Sequence, residues 1–167
     1  MSKDQEFEEF AVLRTPHLYR TAWLLCGDAH RAEDLVQDTL AKVYVRWTRK
    51  LGRRLENPAG YAHTALVHTW IDHQRRRSSH ERPVGELPEQ GTPDGDPSLR
   101  LSLAAALDAL DPMDRAVLVL RYLDDVSVAE VADRLGVSPG AVRNRSMRAL
   151  SRIRDVLGTS LPDLLIP

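Results

Sequence analysis

"VSVAEVADRLGVSPGAVRNRSMRALSRI", from Val126 to Ile153, decides how this chain folds. Ser127 stands before an apolar-periodic stretch with Glu130 three residues on, the pattern of a capping box at a helix start. Gly136 follows Leu135 and supplies the positive φ that a turn out of a helix needs. Ser138 then caps a second helix whose first position is Pro139, where the missing N–H has no partner to lose. Ala129 and Ala132 are small, as two closely crossing helices require. At about 100° per residue, Val142, Ser146, Ala149, Leu150, Ile153 and Leu157 fall on one side of the second helix. Arg143, Asn144, Met147, Ser151 and Arg154 centre on the other, with Arg148 flanking. The expectation is a helix-turn-helix whose second helix suits a DNA major groove. Arginine pairs bidentately with guanine and asparagine with adenine, and further arginines grip phosphates.

A DNA-binding helix sits oddly in a chain of formal net charge −1, until the charge is divided along the sequence. Residues 1–41 carry net −4, 42–82 net +7, 83–133 net −8 and 134–154 net +6. Fields are screened over about 8 Å at physiological salt, so a polyanion responds to these local patches and not to the total.

Working outward, the pattern is helical throughout, with no strand-like alternation. A first helix is expected over Gln5–Arg14, with Thr15-Pro16 as cap and first position of a second that stops at Gly27. Asp28 caps the next, which runs to about Trp47 with apolar Ala32, Leu35, Val36, Leu40, Val43 and Trp47 at spacings of three and four. "TRKLGRRLE" is a basic loop, and Asn57-Pro58 starts a helix that ends near Arg77. Ser78 to Ser98 has four Pro, three Gly and no apolar periodicity, and reads as a flexible acidic linker. Beyond it, helices are expected at about Leu99–Leu110, Pro112–Tyr122, Val128–Leu135 and Pro139–Leu157. The fold class is therefore all-α, with two small helical domains at 1–77 and 99–160 joined by a linker at 78–98.

"HRAEDLVQDTLAKVYVRW", the basic loop and "NPAGYAHTALVHTWIDHQRRR" together resemble region 2 of bacterial RNA polymerase sigma factors. The stretch from Ala106 to Arg154 resembles region 4. With these two regions and a short linker, the chain resembles an extracytoplasmic-function (group IV) sigma factor of the actinobacterial SigE-family pattern. The resemblance implies that Asp34, Leu35, Gln37 and Asp38 of "DLVQD" dock on the β′ clamp helices of core RNA polymerase. It implies that the loop Thr48–Glu56 and the following helix open and read the −10 element, with Arg53, Arg54, Tyr61, Trp70, His73, Arg75, Arg76 and Arg77 as candidates. An unstacked base needs apolar or aromatic walls beside cations, which is the chemistry of that set. Recognition of the −35 element falls on Ser138, Arg143, Asn144, Met147 and Arg148, with Arg145 and Arg152 as phosphate contacts. The partners implied are core polymerase, through the β′ clamp helices and the β flap, and promoter DNA, with an anti-sigma factor as a further possibility. Glu81, Glu86, Glu89, Asp94 and Asp96 of the linker resemble the segment that threads toward the polymerase cleft.

No catalytic residue, metal or cofactor is expected. His63, His68 and His73 are spaced by five, about 140° apart on a helix, and cannot share an ion. There is no phosphate-binding glycine loop or nucleophile motif. No run of about 18 apolar residues spans a membrane, and the polar N-terminus and single Cys26 fit the cytoplasm. Two other readings remain open. A stand-alone helix-turn-helix regulator would bind its operator tightly without polymerase. A nucleic-acid enzyme using Asp34 and Asp38 as metal ligands would need a third carboxylate converging on them, and Glu33 points elsewhere.

Overall fold

The structure, a computed structural model, describes residues 1–78 and 97–157, with side chains described from Ser102 onward in the second span. Helices α1 (Lys3–Cys26), α2 (Ala29–Thr48) and α3 (Pro58–Ser78) come first, then α4 (Pro97–Asp108), α5 (Pro112–Leu118), α6 (Val128–Leu135) and α7 (Pro139–Leu157). No strand occurs among the described residues. They fall into two compact units: α1 as far as Trp23 with α2 and α3, and α4 to α7 with which Leu24–Gly27 is grouped. Residues 79–96 of the expected linker, its five acidic side chains, and the tail from Gly158 lie outside the described residues. Pro97 and Ser98, read from sequence as linker, already belong to α4.

In the first unit the sequence expectation fails at Pro16, which stands inside one helix of 24 residues and not at the start of a second. An interior proline removes the N–H that would bond the Val12 carbonyl, at a cost of roughly 3 kcal/mol. Val12 is exposed, and the Thr15 hydroxyl turns back to donate to the Ala11 carbonyl at 2.6 Å. Both halves of the helix are meanwhile packed. Phe7 packs edge-on and Phe10 tilted against Trp47, with Phe7 also edge-on to Tyr44 at 5.0 Å, and Leu18 and Ala22 are buried beyond the proline. These contacts hold the helix continuous where local propensity favours a break.

Helix α2 behaves as its periodicity requires. The Asp28 carboxylate accepts from the His30 N–H at 2.9 Å as N-cap, and Ala32, Leu35, Val36 and Val43 are buried. They meet Ala62, Leu66, Val67 and Trp70 of α3, and the Lys42 ammonium donates to the Thr69 hydroxyl at 2.9 Å across the same seam.

In the second unit, α5 passes into a π-helical turn, Val119–Leu123, where an unbroken helix was expected to Tyr122. The wider turn keeps Val119 and Leu120 fully buried, and the Arg121 guanidinium donates to the Val126 carbonyl at 2.7 Å to anchor the following loop. Val117, Leu118, Val131, Leu135, Val142, Ala149 and Ile153 complete this core.

Gly136 sits at φ +66° between α6 and α7, and no atom lies within 4 Å of where a Cβ would stand. The cost of a side chain there is one of backbone conformation alone. Gly136→Ala is expected to destabilise the chain by about 1–2 kcal/mol, read as a lower urea midpoint at unchanged m-value.

Candidate nucleic-acid interface

The turn chemistry that positions α7 is local. The Ser127 hydroxyl accepts from the Glu130 N–H at 3.1 Å, and the Ser138 hydroxyl accepts from the Ala141 N–H at 3.1 Å. Ser138, expected at the −35 surface, thus serves as a helix cap. Glu130 does not complete the capping box, because its carboxylate turns to Arg134 at 3.5 Å. Val142, Ser146, Ala149 and Ile153 bury one side of α7, and the Ser146 hydroxyl is satisfied by the Val142 carbonyl at 2.8 Å. Opposite them Arg143, Asn144 and Met147 are exposed, Met147 at 72%. A side chain that apolar, held that far into solvent, fits a contact such as a thymine methyl.

Arg145 and Arg148 are placed differently. The Arg148 guanidinium donates from Nε and NH2 to the two oxygens of Asp114, both at 3.0 Å, and Arg145 donates to the same carboxylate at 2.7 Å. Arg145 also lies 3.4 Å from Asp111. Asp114, in the first turn of α5, is only 3% exposed. Burial by itself would raise its pKa, but the hydrogen bonds and charges of Arg148 and Arg145 outweigh that and hold the carboxyl below its ordinary value. Arg152 is exposed and reaches the Ala109 carbonyl at 3.5 Å, the limit of a hydrogen bond.

In the first unit Asp34, Gln37 and Asp38 are exposed along one side of α2, followed a turn later by exposed Ala41 and Val45. Leu35, expected to share in partner binding, is 1% exposed. It lies on the adjoining, buried side of the helix as a core residue, and this corrects its role. Asp38 is not alone on its face: its carboxylate lies 3.3 Å from His73 Nε2 of α3. Among the described residues, Asp34 and Asp38 belong to no group of three or more His, Cys, Asp or Glu side chains close enough to hold a metal ion.

The basic loop between α2 and α3 borders an open cavity of about 590 Å³. Six cationic side chains line it, Lys3, Arg46, Arg49, Lys50, Arg53 and Arg54, against Trp47 and Leu55, with Glu6 and Glu56 as the acidic members. The loop is held by the Arg46 guanidinium, which donates to the Arg53 carbonyl at 2.7 Å, by the Arg53–Glu56 pair, and by Arg54 lying 3.8 Å from Glu6 of α1. Of the expected −10 residues, Arg53 and Arg54 line this cavity. Tyr61 is 37% exposed on the first turns of α3, and Arg75 and Arg76 are exposed at its far end with Arg77 half-buried. Trp70 is 2% exposed and fills the core between α2 and α3, so it is no stacking wall. Trp47 is the aromatic that lines the cavity. Sequence reading passed over Arg46 and Trp47 as site residues and included Arg49 and Lys50 only as part of the loop, although the run "RWTRKLGRR" carried the signal. Nothing in the sequence pointed to Asp114.

Two family models match the chain: sigma-70 region 2 over residues 13–80 and sigma-70 region 4 over residues 100–153. An RNA polymerase sigma-E factor of Streptomyces coelicolor is 35% identical over 159 residues, covering 94% of this chain and 89% of the relative. Another, of Streptomyces antibioticus, is 35% identical over 156 residues, covering 92% and 86%. Among solved structures, the sigma factor RpoE of Bartonella quintana, crystallised with the anti-sigma factor NepR, aligns with a TM-score of 0.73 at 24% identity. That alignment covers 93% of this chain and 98% of the other, and bears on the fold.

The lowered pKa of Asp114 fixes a sign for acid stability. The unfolded chain takes up this proton first, so the stabilisation is complete above the unfolded carboxyl value of about 4. It is lost as pH falls through the lower folded value. Denaturant titrations from pH 7 to pH 3 are expected to show this loss, and Asp114→Asn is expected to flatten that acid limb.

Proposed function

This chain belongs to the sigma-70 family of RNA polymerase sigma factors, in its extracytoplasmic-function branch, and from that premise we propose how it brings polymerase to promoters. Residues 1–77 act as the module that holds core polymerase and the −10 element, and residues 99–160 as the module that reads the −35 element. The exposed side of α2, with Asp34, Gln37 and Asp38, docks on the β′ clamp helices. Asp34 and Asp38, at i and i+4, offer two carboxylates in one direction to cations on a partner helix. The second module meets the β flap, and its α7 lies in the −35 major groove with Arg143, Asn144 and Met147 toward the bases. All of this takes place in the cytoplasm, and the nucleotide chemistry belongs to the polymerase.

One observation carries the −10 part: the basic cavity with Trp47 in its wall. Six cations suit the backbone of a separated strand, and an indole suits an unstacked base, whose stacking is worth about 1–3 kcal/mol. A stand-alone helix-turn-helix regulator has no use for such a cavity, nor for an acidic side on α2. Anti-sigma control is proposed by likeness alone, since the Bartonella relative was crystallised with such a partner.

Replacing Asp34 and Asp38 together with Arg is expected to abolish co-purification with core polymerase. Both are exposed, so the circular dichroism and melting of the free chain should stay near wild type. Undiminished co-purification would contradict this placement of the polymerase surface.

A further inference from the structure

Asp114 lies outside the two helices of the helix-turn-helix, yet two of the six arginines between residues 134 and 154 end on it. Its three hydrogen bonds, at 2.7, 3.0 and 3.0 Å, use both carboxylate oxygens. Arg148 uses its Nε–NH2 edge, one of the two edges through which a guanidinium can pair bidentately with guanine. Asp111 lies beside Arg145, so the two carboxylates balance the two guanidinium groups and the cluster is formally neutral. Arg145 and Arg148 keep side chains 30% and 58% exposed and N–H groups beyond these bonds, but to extend farther toward DNA either would have to leave a carboxylate that is 3% exposed, and unpairing a buried charge is strongly unfavourable.

We propose that Asp114 is a positioning residue that sets the specificity of α7, holding Arg145 and Arg148 back from DNA so that Arg143, Asn144 and Met147 do the reading. The inference rests on the −35 role given to α7 above. It revises the sequence expectation that Arg148 reads bases and Arg145 grips phosphate. The physical basis is that a mobile arginine is a sequence-blind ligand for phosphate. It adds affinity for every duplex alike and so dilutes discrimination. An arginine tied to a buried carboxylate still packs α5 against α7 but adds little to that background. Asp114 thereby also fixes the rotation of α7 about its axis, which aims the exposed arc of Arg143, Asn144 and Met147.

The test uses the full chain bound to core polymerase, and measures affinity for promoter duplexes with intact or substituted −35 base pairs between 50 and 200 mM KCl. Asp114→Asn keeps the shape and removes the charge. With two arginines released, the slope of log affinity against log salt should steepen by up to about 2, at about 0.9 per phosphate contacted, and discrimination between −35 sequences should fall. A merely structural role would weaken all duplexes alike at unchanged slope, and that result overturns the proposal. A triple variant, Asp114→Asn with Arg145→Gln and Arg148→Gln, leaves neutral amides that can hydrogen-bond to one another. It should keep wild-type discrimination, because neither arginine reads. Loss of discrimination in the triple variant as severe as in Arg143→Ala overturns the proposal, whether or not Asp114→Asn folds. Failure of the wild-type holoenzyme to distinguish −35 sequences at all would instead overturn the reading of α7 on which the inference rests.

Discussion

Segregation of charge onto separate helix faces is the constraint on which the rest of this structure depends. A chain of net charge −1 must offer positive surface to one partner and negative surface to another without collapsing one on the other. The first unit does this by placing Asp34 and Asp38 on the solvent side of α2, while the basic loop 49–57 gathers its cations around a cavity. The second unit uses ion pairing. Of its six arginines from 134 to 154, Arg134 is paired with Glu130, and Arg145 and Arg148 with Asp114. The positive charge left to DNA is thus smaller and more localised than the sequence suggests. Screening over about 8 Å makes that local arrangement, and not the total, what a polyanion meets.

The same arrangement suits a promoter-reading role that does not depend on tight binding to free DNA. Non-specific affinity grows with each phosphate neutralised, and a specificity subunit carried by a larger enzyme gains nothing from it. A few exposed side chains on α7, backed by a charge-neutral cluster between α5 and α7, suit discrimination more than grip. In the first unit Trp47 bridges two tasks. Its ring packs on Phe7 and Phe10 of α1 and also lines the basic cavity, so the packing that holds α1 in place also forms part of the cavity wall.

Features set by neighbouring residues were legible in the sequence. Ser127, Gly136, Ser138 and Pro139 fix the ends of α6 and α7 through bonds spanning three or four residues, and the expected boundaries agree with those observed. Asp28 likewise announces α2. Features set by long-range packing were not legible. Pro16 reads as a helix start, and only the contacts of Phe7, Phe10, Leu18 and Ala22 with the rest of the unit keep α1 continuous. Asp114 meets Arg145 and Arg148 across 31 and 34 residues, a pairing that no helical periodicity foretells. Leu35 and Trp70 were drawn into the site by motif position, but each lies on the buried side of its helix. The cavity escaped notice because Lys3 and Glu6 come to it from the far end of the first unit's sequence.

The central claim is that this chain gives core polymerase its choice of promoter. The most direct measurement is in vitro transcription by core RNA polymerase over a library of promoters with randomised −35 and −10 elements, with and without the full chain. The account predicts that adding the chain produces transcripts from a defined subset sharing both elements, and that core polymerase alone starts none of them. Transcription that is unchanged by the chain, or repressed at sites the chain binds without polymerase, would contradict it.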